Sequence, residues 1–166
     1  TSGQTYTIDR TMPTVRWVVR ASSNPSGAAT VNYTVGFTEA VTGVDVSDFT
    51  LAVSGVSGAS VASVTGSGTS YTVTVNTGTG SSTLRVDLMD DNSIVDIAGN
   101  PLGGSGAQNY TGQVYTIDKV GPTVRWVVRA SPNPSGAATV NYTVGFTEAV
   151  TGVDVSDFAL SITGLS

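Results

Sequence analysis

Thr30-Val31-Asn32-Tyr33-Thr34-Val35-Gly36-Phe37 reads as a half-buried β-strand. Val31, Tyr33, Val35 and Phe37 fall on one face and Asn32 and Thr34 on the other, the period of two expected of a strand with one face in a core. β-Branched and aromatic residues suit such a pleated surface. The same eight residues recur as Thr139–Phe146, which makes the strand part of a repeat.

Outward from this strand the repeat is long. Pro13 through Ser57 recur as Pro122 through Ser166, an offset of 122 − 13 = 109 residues. Only six of the 45 pairs differ: Ser23/Pro132, Thr50/Ala159, Ala52/Ser161, Val53/Ile162, Ser54/Thr163 and Val56/Leu165. Tyr6-Thr7-Ile8-Asp9 recurs as Tyr115-Thr116-Ile117-Asp118 at the same offset. A solenoid turn takes about 20–50 residues, whereas a self-contained sandwich domain takes roughly 100. The expected organisation is therefore residues 1–9 as the last strand of a preceding repeat, 10–118 as a complete repeat, and 119–166 as the first, incomplete part of the next.

Within the complete repeat, Thr14–Ala21 alternates with Val15, Trp17 and Val19 on one face. Phe49–Ser54 follows, and Ala59–Thr65 and Tyr71–Asn76 flank a turn at Gly66-Ser67-Gly68. Thr83–Met89 sets Leu84, Val86 and Leu88 against Arg85 and Asp87, and Tyr110–Ile117 closes the copy. Seven strands joined by short Gly/Ser turns, with no convincing helix, predict an all-β fold, a seven-stranded antiparallel Ig-like sandwich. Trp17 and Tyr33 are its expected core anchors.

Several motifs carry a resemblance. Asp118-Lys119-Val120-Gly121-Pro122-Thr123-Val124, Phe37-Thr38-Glu39-Ala40-Val41-Thr42-Gly43, Ser47-Asp48-Phe49, the run Val64–Val73 and Asp96-Ile97-Ala98-Gly99-Asn100 together resemble bacterial Ig-like (Big) repeats. The likeness covers essentially the whole chain and departs at Met12, where the family often has a small residue. It implies a place in adhesins, cell-surface stalks or secreted multidomain proteins, and it names no ligand.

Composition narrows the chemistry. The chain has no cysteine and no histidine, which excludes disulfides, thiolate metal sites and any Ser-His pair. Its one lysine, Lys119, lies in a linker, so a Ser-Lys pair and a Lys–Asn isopeptide within the complete repeat find no support, and enzymatic activity is not expected. A net charge of −5 without a basic run speaks against nucleic acid. No run of about 20 apolar residues offers a membrane span.

Oxygen-bearing residues concentrate between Asp87 and Asp96. Calcium takes six to eight oxygen ligands, several of them carboxylate. If the strands alternate in direction, the ends of the second and sixth meet at the pole where Asp9 arrives. Asp9, Glu39, Asp90, Asp91 and Asp96 are then candidate ligands of a junction Ca2+. The alternative is solvated loop aspartates, with Asp96–Asn100 a turn. Asp45 and Asp48 read as caps of a short turn.

The expected role is mechanical: a semi-rigid rod, stalk or fibre at the cell surface or outside the cell, with adjacent copies of the repeat as partners. Two alternatives stand beside it, a filament subunit assembled by β-strand exchange with other chains and a glycan- or matrix-binding module.

Overall fold

The computed structural model describes residues 3–106 and 108–163. The chain forms two compact units, Thr1–Val120 and Gly121–Ser166. No helix among the described residues is long and apolar enough to cross a membrane.

In the first unit the strands are β1 (Val15–Arg20), β2 (Thr30–Thr42), β3 (Phe49–Ser54), β4 (Ser60–Asn76), β5 (Ser82–Leu88), β6 (Val95–Asp96) and β7 (Tyr110–Ile117). One sheet has the order β1-β2-β4 with the short β6 against the end of β2, and the other has the order β3-β5-β7. All five ladders are antiparallel. This is the expected all-β Ig-like sandwich.

β4 joins what reads in the sequence as two strands. Seventeen extended residues would span about 56 Å at roughly 3.3 Å each, yet Asn76 Nδ2 donates to Ser60 Oγ at 3.1 Å. The run therefore doubles back, around Gly66 at φ +129°, where a Cβ would come within 2.5 Å of Ser70 O.

The core follows the alternation. Val31, Tyr33, Val35 and Phe37 of β2 are buried against Leu84, Val86 and Leu88 of β5; burial of each such side chain stabilises by about 1.5–3 kcal/mol. Tyr33 meets Tyr115 edge-to-face at 5.1 Å, and its hydroxyl donates across the sandwich to Leu84 O at 3.2 Å. Phe37 and Tyr71 make a second edge-to-face pair at 5.9 Å.

Trp17 departs from expectation. The ladder slips between Val15 and Trp17, and the added residue turns Val18 into the core while leaving Trp17 37% exposed. A bulge rephases every residue beyond it, which alternation alone does not reveal. The indole instead lies over Gly36, where any Cβ would overlap the ring, and the Arg16 guanidinium sits 4.9 Å from its centroid.

Strand direction sets the two ends of this unit. β2 finishes with Val41 and Thr42 paired to Asp96 and Val95, beside the arriving chain. β7 runs the other way, from Tyr110 opposite Leu88 to Ile117 opposite Ser82. Beyond it, Asp118 N donates to Ser26 O at 3.0 Å, at the turn between β1 and β2. The chain enters the unit at one end and leaves at the opposite end.

In the second unit β8 (Val124–Arg129) and β9 (Tyr142–Phe146) pair as β1 and β2 do, from Val124↔Phe146 to Arg129↔Tyr142, with the same slip. The offset puts a counterpart of β3 at Phe158–Thr163, but no strand forms there among the described residues. β3 has β5 as its ladder partner, and no counterpart of β5 exists in this unit. For the same reason, residues 3–9 are not a strand: they pair with nothing among the described residues.

Candidate metal centre

Three carboxylates meet at the entrance end. Asp9 arrives with the chain, Glu39 projects from β2 and Asp96 from β6, each offering an oxygen within 4.8 Å of the other two. Two oxygens on opposite sides of one calcium ion lie about 4.6–5.2 Å apart, since Ca–O bonds are about 2.3–2.6 Å.

The Asp96 loop is built to hold its carboxylate still. Asp96 is buried, and Oδ1 accepts from Ala98 N and Asn100 N, both at 2.8 Å, while Oδ2 accepts from Asn100 Nδ2 at 2.8 Å. Burial pushes this carboxyl up, but the Asn100 side chain and the loop amides outweigh it and hold it below the usual range. Asn100 Nδ2 also reaches Asp9 O at 3.3 Å and Thr11 O at 3.1 Å, fastening the incoming chain to the loop. Asp9 Oδ1 accepts from Thr11 N at 2.9 Å, which orients its carboxylate.

Glu39 is the member without support. Its Oε1 is shielded from solvent and has no hydrogen-bond partner. Burial first, then the charges of Asp9 and Asp96, raise its carboxyl above the ordinary value. A shielded carboxylate oxygen without a donor, facing two further carboxylates, fits a hard cation. The Asp and Glu donor set is one that calcium accepts.

Asp90 and Asp91 lie at the same end but outside the trio, which corrects the five-residue set. Asp90 is buried, its oxygens taken by Asn92 N and Gln108 N, both at 2.9 Å, so it clamps the loop to the start of β7. Asp91 accepts from Ser93 N at 2.9 Å, and hydrogen bonds from Ser93, side chain first, lower its pKa. Asp45 and Asp48 form the capping box of the short 3₁₀ turn Val46–Asp48, as their spacing suggested. Asn100, which joins Asp96 to the incoming chain, is the residue of this candidate site that the sequence reading did not single out. Its position in Asp96-Ile97-Ala98-Gly99-Asn100, at the end of the turn opened by a candidate ligand, was the available signal.

The profile of the bacterial Ig-like domain family matches residues 9–114, beginning at the first carboxylate of the trio. The chain belongs to the bacterial Ig-like domain family. No curated protein and no solved structure matches it. Membership in this Ig-like family points to a structural domain of a bacterial surface protein, and such domains are typically non-enzymatic.

Proposed function

We propose that the repeat is a mechanical spacer of an extracellular or cell-surface protein, strung end to end with copies of itself into a semi-rigid rod or stalk. One observation carries this reading: the chain enters the complete unit at one end, beside Asp96, and leaves at the other, beside Ser26. Such a unit adds its full length to an array.

Calcium at Asp9, Glu39 and Asp96 would stiffen the entrance. The ion supplies the positive charge that lets three carboxylates sit together and ties the incoming chain to β2 and β6. What supports it is the partnerless Glu39 Oε1 inside the trio. Asn100 would keep Asp9 and Asp96 in place whether or not the ion is bound.

Calorimetric titration of the chain with calcium tests this part. One ion per chain, with Kd of about 10⁻⁴–10⁻³ M as in other extracellular modules, and loss of the heat in Glu39→Gln are expected. No heat, or heat unchanged in Glu39→Gln, would contradict the site.

A further inference from the structure

β1 and β7 belong to different sheets, yet they lie side by side in the first unit. Val15 N donates to Gln108 Oε1 at 2.9 Å, just before β7, and the Tyr110 hydroxyl donates to Arg16 O at 3.2 Å. Farther along, Arg20 N donates to Gln113 Oε1 at 3.1 Å, and the Arg20 guanidinium donates to Val114 O. Past the end of β1, the Tyr115 hydroxyl accepts from Ser22 N at 2.7 Å and donates to Asn32 O at 2.8 Å. Thr116 N then donates to Asn24 Oδ1 at 2.7 Å, and Ser26 N to Thr116 O at 2.9 Å.

Partner numbers rise together along this seam, so the two strands run parallel, as the bridge between Ser26 and Ile117 also does. Side chains make most of the stitches, because no backbone ladder joins β1 to β7 among the described residues. The opposite seam differs: no hydrogen bond joins β3 to β4 among the described residues. Lys119 closes the stitched seam at its far end. Its ammonium donates to Gly27 O at 3.0 Å, Ala28 O at 2.6 Å and Thr77 Oγ1 at 2.9 Å, and its backbone N–H to Ser81 Oγ at 2.7 Å.

We propose that the β1–β7 seam is the load-bearing element of the unit, passing tension along the chain directly from one strand to the other. The proposal rests on the spacer reading, since a domain strung in an array takes tension through its two ends. The chain reaches β1 at the entrance end, beside Asp96, and leaves β7 at the exit end, beside Ser26. Pulling those two points apart slides parallel strands past each other. Every stitch is then strained at once, whereas strands drawn from the same end would open one bond at a time. Such resistance is a matter of unfolding rate and not of equilibrium stability. The sequence of the seam therefore matters more under force than in denaturant.

Force spectroscopy of the whole chain, held at its two ends, tests the proposal with a Gln108→Ala/Gln113→Ala variant. Neither glutamine belongs to the hydrophobic core, so the variant folds. Two controls sit in β4, outside the seam: Val73→Ala, fully buried, and the milder Val61→Ala, half-buried. Loss of two hydrogen bonds of ordinary net strength should speed unfolding of the first unit at fixed force by about tenfold. The urea midpoint of the glutamine variant should nevertheless fall less than that of Val73→Ala, and both controls should speed forced unfolding less than the glutamine variant does. An unchanged rate under force in the glutamine variant, or variants ranked under force as they are ranked in urea, would overturn the proposal. A side-by-side pair in the scattering of tandem copies would remove the spacer reading and leave this ranking untouched, so the two failures are distinguishable.

Discussion

Glu39 and Trp17 show how far single residues can be read from the sequence. Glu39 was legible as a carboxylate at the right pole, because strand direction places the end of β2 there. Its lack of a partner was not, since the groups around it come from distant parts of the chain. Trp17 was misread because one bulge inverts the inward face of β1. Burial ranks the substitutions accordingly: Tyr33→Ala should cost about 3–5 kcal/mol, and Trp17→Ala distinctly less, in urea unfolding of the two variants. Glu39 also makes a pH signature. Its pKa is raised in the folded state, chiefly by burial and then by Asp9 and Asp96. The stability it contributes is therefore complete below the ordinary glutamate value of 4.5 and is lost as pH rises through the raised value. In chelator, melting temperature measured across this range should fall less steeply with rising pH for Glu39→Gln than for the wild type, and the variant should melt higher at neutral pH.

Elements were easier to read than the faces they present. β2 and β5 alternate cleanly and lie where the pattern put them. Gly66 marked the fold-back inside β4. β6, only two residues long, carries no periodic signal, yet it brings Asp96 to Glu39. The loop after it holds both Asp96 and the arriving chain through Asn100. Residues that orient metal ligands typically contribute 10–100-fold to affinity. Asn100→Ala should weaken calcium binding by about that factor in calorimetry and speed amide exchange at Thr11, with the β2–β5 core unaffected. The second unit supplies the converse lesson: the alternation of β3 recurs at Phe158–Thr163 with four of its six residues changed, but without a β5 beside it no ladder forms among the described residues. A strand is specified by its neighbour as much as by its own residues.

At the scale of the whole molecule, the offset of 109 residues was plain in the sequence, because near-identical copies need no structural inference. Entrance and exit at opposite ends of a unit needed strand pairing, and that arrangement is what suits the sandwich to the proposed spacer role. The central claim is that copies joined through Asp118–Pro122 form a rod stiffened by calcium at the entrance of each. Small-angle X-ray scattering of two complete copies in tandem, with calcium and with chelator, tests it most directly. The account predicts a maximum dimension equal to two domains end to end in calcium, and a shorter, broader distribution in chelator. A side-by-side pair, or identical profiles in both conditions, would contradict it.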